Sequence, residues 1–279
     1  MKYQKVKKYH VRKKAYFFSK DIYLFHLFIY LIFNNTFIIC YALNQQTSAI
    51  IEKIIICEDT NYETDAYIFS SQQDGPVIMI LAGVHGDELA GIKAVRRFME
   101  DFQPVKGKVI VIPKANKAAC QSEIRAIAPE EDLNRNYPGD KKSEGVARLA
   151  GEIIGIMNDY KVDFLLDLHE SVDFYQQSSD HYGQTIVLDV HDNELLNQMS
   201  SYLLKQLNQK VILPENCFNI LLKPVEGSGT HEAWHQYKIP GITLETCTRI
   251  EFSKRVNWHY HCIQKTLSFF NMVNIIEAK

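Results

Sequence analysis

An α/β sandwich of three layers, with helices on both faces of a central, mostly parallel mixed sheet, is predicted by three features of this 279-residue sequence. Strand-like and helix-like segments alternate from about residue 50 onward. Two of the strand-like segments, V-I-M-I-L-A-G at 77–83 and K-V-I-V-I-P at 108–113, are the continuous apolar runs that a sheet covered on both faces requires. Histidines and carboxylates fall at the ends of such strands, beyond whose carboxyl ends open α/β sheets bind their ligands. The composition, 46% hydrophobic and 23% charged, suits a globular domain and excludes a disordered tail, a collagen or a polytopic membrane protein.

The chain divides into residues 1–43, a basic N-terminus with an apolar segment, and a single domain over 44–279. Residues 1–20 hold eight Lys or Arg and no acid, and 22–33 are apolar apart from His26. Asn34, Asn35 and Thr36 interrupt this run before 37–43 resumes it. Basic residues ahead of a short apolar core are the signature of a secretory signal, here with a weak cleavage site after Ala42. Uncut, residues 22–43 would be long enough for a membrane anchor. The expected localisation is secreted or membrane-anchored with the domain outside. A cytoplasmic protein with a buried amphipathic helix or a mis-assigned start is the alternative. The other 259 residues carry 23 basic and 33 acidic side chains, a balance of −10 that opposes nucleic-acid binding.

Strands are expected at 66–70, 77–83, 108–113, 164–168, 185–189 and 241–245. Helices are expected at 87–102, where Leu89, Ile92, Val95, Phe98, Met99 and Phe102 share a face, and at 193–209, at 231–237 and from 252 onward. Ser143 is a candidate cap for a further helix reaching about residue 159. Between them, 114–142 reads as a long irregular stretch, a length that usually serves function. Six cysteines without C-x-x-C spacing predict buried thiols rather than a zinc ribbon or disulfide framework.

The chemistry-bearing residues form four motifs. The strand ending at Gly83 leads into Val84-His85-Gly86-Asp87-Glu88, and the one ending at Leu168 into His169. A His and a carboxylate three residues apart across a turn, joined by a His from a neighbouring strand, can hold one cation and leave a fourth position open, as catalytic zinc requires. The strand 242–244 ends in Glu245. The long stretch supplies Arg125 and then Asp132-Leu133-Asn134-Arg135-Asn136-Tyr137-Pro138-Gly139, where adjacent Asn and Arg suit capture of a carboxylate or form a solvated turn. Another metal signature, His231-Glu232-Ala233-Trp234-His235, sits between Gly229 and Pro240 with room for only two or three turns.

In order, G-V-H-G-D-E, D-L-N-R-N-Y-P-G, D-L-H-E and T-L-E-T resemble the succinylglutamate desuccinylase and aspartoacylase family of zinc carboxypeptidase-like hydrolases, over roughly residues 65–250. The resemblance implies a zinc-dependent exopeptidase-like fold and one Zn2+ per chain, held by His85, Glu88 and His169. It implies Asp132 orienting His85, Arg125 polarising the scissile carbonyl, Asn134 and Arg135 holding a substrate carboxylate, and Glu245 as general base. Its reading of 231–237 is a short helix leading into the Glu245 strand. The implied substrate is an N-acyl amino acid or similar small carboxylate-bearing amide. A short peptide, cell-wall peptides included, that loses its C-terminal residue is the alternative, because N-R-N-Y-P-G is shared with true carboxypeptidases.

Overall fold

The computed structural model describes residues 50–190, 192–209, 211–223 and 225–273, so the expected signal or anchor at 22–43 lies outside the described residues. In chain order the elements are β1 (Ile50–Ile56), β2 (Thr64–Ser70), β3 (Val77–Ala82), α1 (Leu89–Met99), β4 (Lys108–Ile112), α2 (Lys117–Ser122) and α3 (Gly145–Asp159). There follow β5 (Phe164–Ser171), β6 (Thr185–Leu188), α4 (Glu194–Asn208), β7 (Asn219–Leu222), α5 (Gly229–Tyr237), β8 (Gly241–Cys247) and α6 (Phe252–Phe269).

The eight strands form one sheet in the order β1-β2-β4-β3-β5-β8-β6-β7. Its centre, β4-β3-β5-β8, is parallel throughout, and antiparallel pairings join it to the flanking strands. The central strands are the continuous apolar runs, because both of their faces are covered. One face packs against α1, α4 and α6 through Ile92, Val95, Leu203 and Ile263, the other against α3 and α5 through Leu149, Ile153 and Ala233. This is the expected three-layer sandwich.

Several boundaries differ from those read in the sequence. Strands β1 and β7 fall where the sequence pattern predicts none. Strand β1 carries apolar residues on both faces, with Ile51 and Ile55 exposed, so it lacks the alternation that marks a half-buried strand. The stretch 114–142 contains α2, capped by the Asn116 side chain on Ala119 N. Helix α3 starts after Glu144 without a side-chain cap, and Ser143 plays no part in it. Helix α1 begins at Leu89, leaving Glu88 just outside it. Strands β5 and β8 each run past the expected end, so His169 and Glu245 lie within strands. All five cysteines among the described residues are free thiols, four of them buried.

Candidate active site

Tight turns aim the first cluster. Gly83, at φ +68°, takes the chain off β3 in a conformation other residues resist. A side chain on Gly86 would run into the backbone of Ala119, so the His85–Glu88 turn can lie flush against α2. The turn brings His85 Nδ1 to 2.6 Å from Glu88 Oε1. On β5, Asp167 and His169 are two residues apart and therefore share a face of the sheet. His169 Nδ1 lies 2.9 Å from Glu88 Oε2, and its Nε2 lies 3.1 Å from Asp167 Oδ2. His85 Nε2 lies 3.1 Å from Asp132 Oδ1. Each imidazole thus turns one nitrogen toward Glu88 and rests the other against an aspartate.

Among the described residues, His85, Glu88 and His169 are the group that could hold a metal ion, with one donor atom from each within 4.8 Å of the others. The surroundings fit such an ion. Two imidazole nitrogens and a carboxylate are a zinc donor set with an open position. Carboxylates behind the two histidines fix ring orientation and raise donor strength. Glu88, Asp132, Asp167 and Glu245 gather here with Arg125 as the guanidinium among them, an excess of negative charge that a divalent cation would offset.

The electrostatics follow from that crowding. Burial disfavours an imidazolium at His85, but the Glu88 and Asp132 carboxylates outweigh it and hold the pKa above the ordinary value. The same opposition raises His169 further, through Asp167 and Glu88. Against the cost of burial, the two histidines hold Glu88 well below the usual carboxylate range, and His85 and Arg125 do the same for Asp132.

Glu245 is the direct cross-strand partner of His169 in the parallel β5–β8 pair, so the two side chains leave the sheet side by side. Its Oε2 is buried without a hydrogen-bond partner. Burial pushes its pKa up to about 7. Arg125 donates from Nε and Nη2 to Asp132 Oδ2 at 3.1 and 2.8 Å, with Nη1 3.4 Å from His85 Nδ1. Asn134 donates its backbone N–H to Asp132 Oδ1, and its side-chain oxygen accepts from Gly229 N at the start of α5. Arg135 is exposed and donates to the Asn134 carbonyl, apart from this network.

The structure therefore brings together His85, Glu88, His169, Asp132, Arg125 and Glu245, ties in Asn134 through its backbone, and leaves the Arg135 guanidinium outside. Asp167, which flanks His169 in D-L-H-E and is a candidate support for it from the sequence, joins them on the same face of β5. The H-E-x-x-H stretch forms α5, where His231 faces Asp189 at 3.4 Å and stacks on His235. The loop 173–184 borders the ends of β5 and β8, with Tyr182 N donating to Ser171 Oγ and Arg249 paired to Asp173.

A mixed α/β/α sandwich that gathers a buried His-Glu-His group at the ends of its central strands is the class of fold and site this chain presents. The chain belongs to the succinylglutamate desuccinylase/aspartoacylase family, whose catalytic domain matches residues 74–248. Over 99 residues it is 32% identical to N-alpha-acetyl-L-2,4-diaminobutyric acid deacetylase of Halomonas elongata, covering 34% of this chain and 29% of that protein. Over 67 residues it is 36% identical to murein peptide amidase A of Escherichia coli, covering 24% of this chain and 28% of that protein. These matches thus span less than a third of each curated relative. The fold is shared with the D,L-carboxypeptidase Csd4 of Helicobacter pylori, at TM-score 0.64 and 21% identity over 71% of this chain and 52% of that one. It is shared equally with an aspartoacylase family protein of Mesorhizobium loti, at TM-score 0.62 and 20% identity over 81% and 68%.

Proposed function

We propose that this protein is a zinc-dependent amide hydrolase, a deacylase that cleaves an N-acyl amino acid or a similar small carboxylate-bearing amide. The observation that carries the reading is the His85–Glu88–His169 group, backed by Asp132 and Asp167, with Glu245 beside it in register. Held there, zinc would supply Lewis acidity toward both the attacking water and the scissile carbonyl. Glu245 takes the proton from water as it attacks the amide carbon and returns it to the departing amine. The free Oε2 and a pKa raised to about 7 suit both transfers. Arg125, half-exposed beside His85, stabilises the negative charge that develops on the carbonyl oxygen. Asn134 and Arg135 would hold the substrate carboxylate, Arg135 from its exposed position at the rim. The similarity to the Halomonas elongata deacetylase favours this reading.

A metallocarboxypeptidase acting on a short, cell-wall type of peptide is the second reading, favoured by the similarity to murein peptide amidase A. Residues 22–43 would export or anchor the domain, giving it access to such a substrate. The test is to offer the purified protein matched N-acyl amino acids and free-carboxylate peptides, with and without a chelator, and to detect released amine by mass spectrometry. Chelator-sensitive deacylation supports the first reading and terminal-residue release the second. Hydrolysis of either that persists without metal would overturn both.

A further inference from the structure

Strands β5 and β8 turn alternate residues away from the site toward α6. Glu170 follows His169, and Thr246 follows Glu245. Glu170 is buried. Its backbone N–H donates to Glu88 Oε2 at 2.9 Å, and its side-chain Oε1 accepts from Ala90 N at 2.8 Å. Its Oε2 meets Arg255 Nη1 of α6 and accepts from Thr246 Oγ1 at 3.4 Å. Arg255 is itself fixed, since its Nε donates to the Ile250 carbonyl at 2.9 Å.

These contacts answer a defect in α1. The helix begins directly after Glu88, and Glu88 gives it no side-chain cap. The first N–H groups of a helix need acceptors, and their end of the dipole favours an anion. Glu170 supplies both from a strand 80 residues away in sequence. One residue therefore grips the Glu88 carboxylate with its main chain and the helix behind Glu88 with its side chain. A buried carboxylate in that role needs a cation, because taking an unpaired charge out of water is costly. Arg255 is that cation.

We propose that Glu170 and Arg255 are positioning residues for Glu88, so that an ion pair anchored on α6, on the far face of the sheet, sets the affinity of the His85–Glu88–His169 site for a divalent cation. This rests on the reading of that group as a metal site. Neither residue touches the substrate or the ion; they act through Glu88 and the start of α1.

The experiment measures zinc affinity of the full chain by competition with a chromophoric chelator, together with the visible spectrum of the cobalt(II)-loaded protein and the Tm. Arg255→Met is expected to weaken zinc binding about 10–100-fold, the usual effect of losing a residue that supports a ligand, and to alter the cobalt spectrum. Arg255→Lys should fall between Arg255→Met and wild type. Glu170→Gln combined with Arg255→Met should bind more tightly than Arg255→Met alone, because Gln still accepts from Ala90 N while no unpaired carboxylate remains. If Arg255→Met fails to fold, the lysine and glutamine single variants carry the comparison. Variants that lower the Tm yet bind zinc within twofold of wild type, with unchanged spectra, would make the pair a brace only. A wild-type protein that takes up no zinc, or that binds it equally after His169→Ala, would overturn the metal site itself and the proposal with it.

Discussion

The front and back of the β5–β8 pair are both buried and polar, yet they are built differently. On the front, Asp167, His169 and Glu245 join Glu88, His85 and Asp132, and the carboxylates outnumber the guanidinium of Arg125. Buried Oε2 of Glu245 and Oδ1 of Asp167 have no partner. On the back, one residue further along each strand, the Glu170 carboxylate has Arg255, and Thr246 Oγ1 bonds His259 Nε2 at 3.0 Å. On the front two carboxylate oxygens are left without a donor, whereas on the back the Glu170 carboxylate has its cation. Identical strands can host either arrangement because successive side chains point to opposite faces.

The most disruptive way to break the front is to remove a ligand. His169→Ala should bind no stoichiometric zinc and retain only background turnover, while His235→Ala, on α5, should keep its zinc. Metal analysis after gel filtration distinguishes them, and zinc lost from the second but kept by the first would move the site to the H-E-x-x-H helix. Next comes the base. Glu245→Gln should hold zinc normally and lose about 10²–10⁴-fold in kcat, the usual range for general acid–base catalysis. Near-normal kcat would take proton transfer away from Glu245.

A smaller effect is expected from the outer rim. Arg135→Ala should raise KM about tenfold or more, as loss of one charge-assisted hydrogen bond implies, with kcat little changed. Steady-state kinetics check this. A fall in kcat at constant KM would instead place Arg135 among the groups that act in the transition state.

How far all this was legible in the sequence depends on the range of the interaction. The apolar runs of β3 and β4 and the turn carrying His85 and Glu88 are local patterns, and the structure keeps them. The two-residue spacing of Asp167 and His169 is local as well. Edge strand β7 is four residues long and β1 lacks alternation, so neither carries a period to read. Glu170 and Arg255 lie 85 residues apart and meet only because α6 packs across the sheet. No spacing rule encodes that meeting. In the sequence His259 is one of four adjacent ring residues, Trp258 to His261, on a helix, and only packing turns it inward.

His259 offers the mildest test of the comparison, because it probes the back while leaving the Arg255–Glu170 pair in place. Burial pushes its pKa down to about 3, so it is neutral in the folded protein where an unfolded chain, with a histidine pKa of about 6.5, begins to take up a proton. Below about pH 6.5 the unfolded state therefore binds more protons, and the contribution to stability falls as pH drops from there toward 3. Between pH 6.5 and 4.5 the loss is on the order of 2 kcal/mol. His259→Gln should flatten the pH dependence of stability by about that amount relative to wild type, with both proteins unfolded by denaturant in the presence of a chelator. Front-face groups titrate in both proteins and cancel in the difference, so the flattening isolates the back. Parallel curves would mean that His259 is protonated in the folded state, and the matched charge assigned to the back would have to be redrawn.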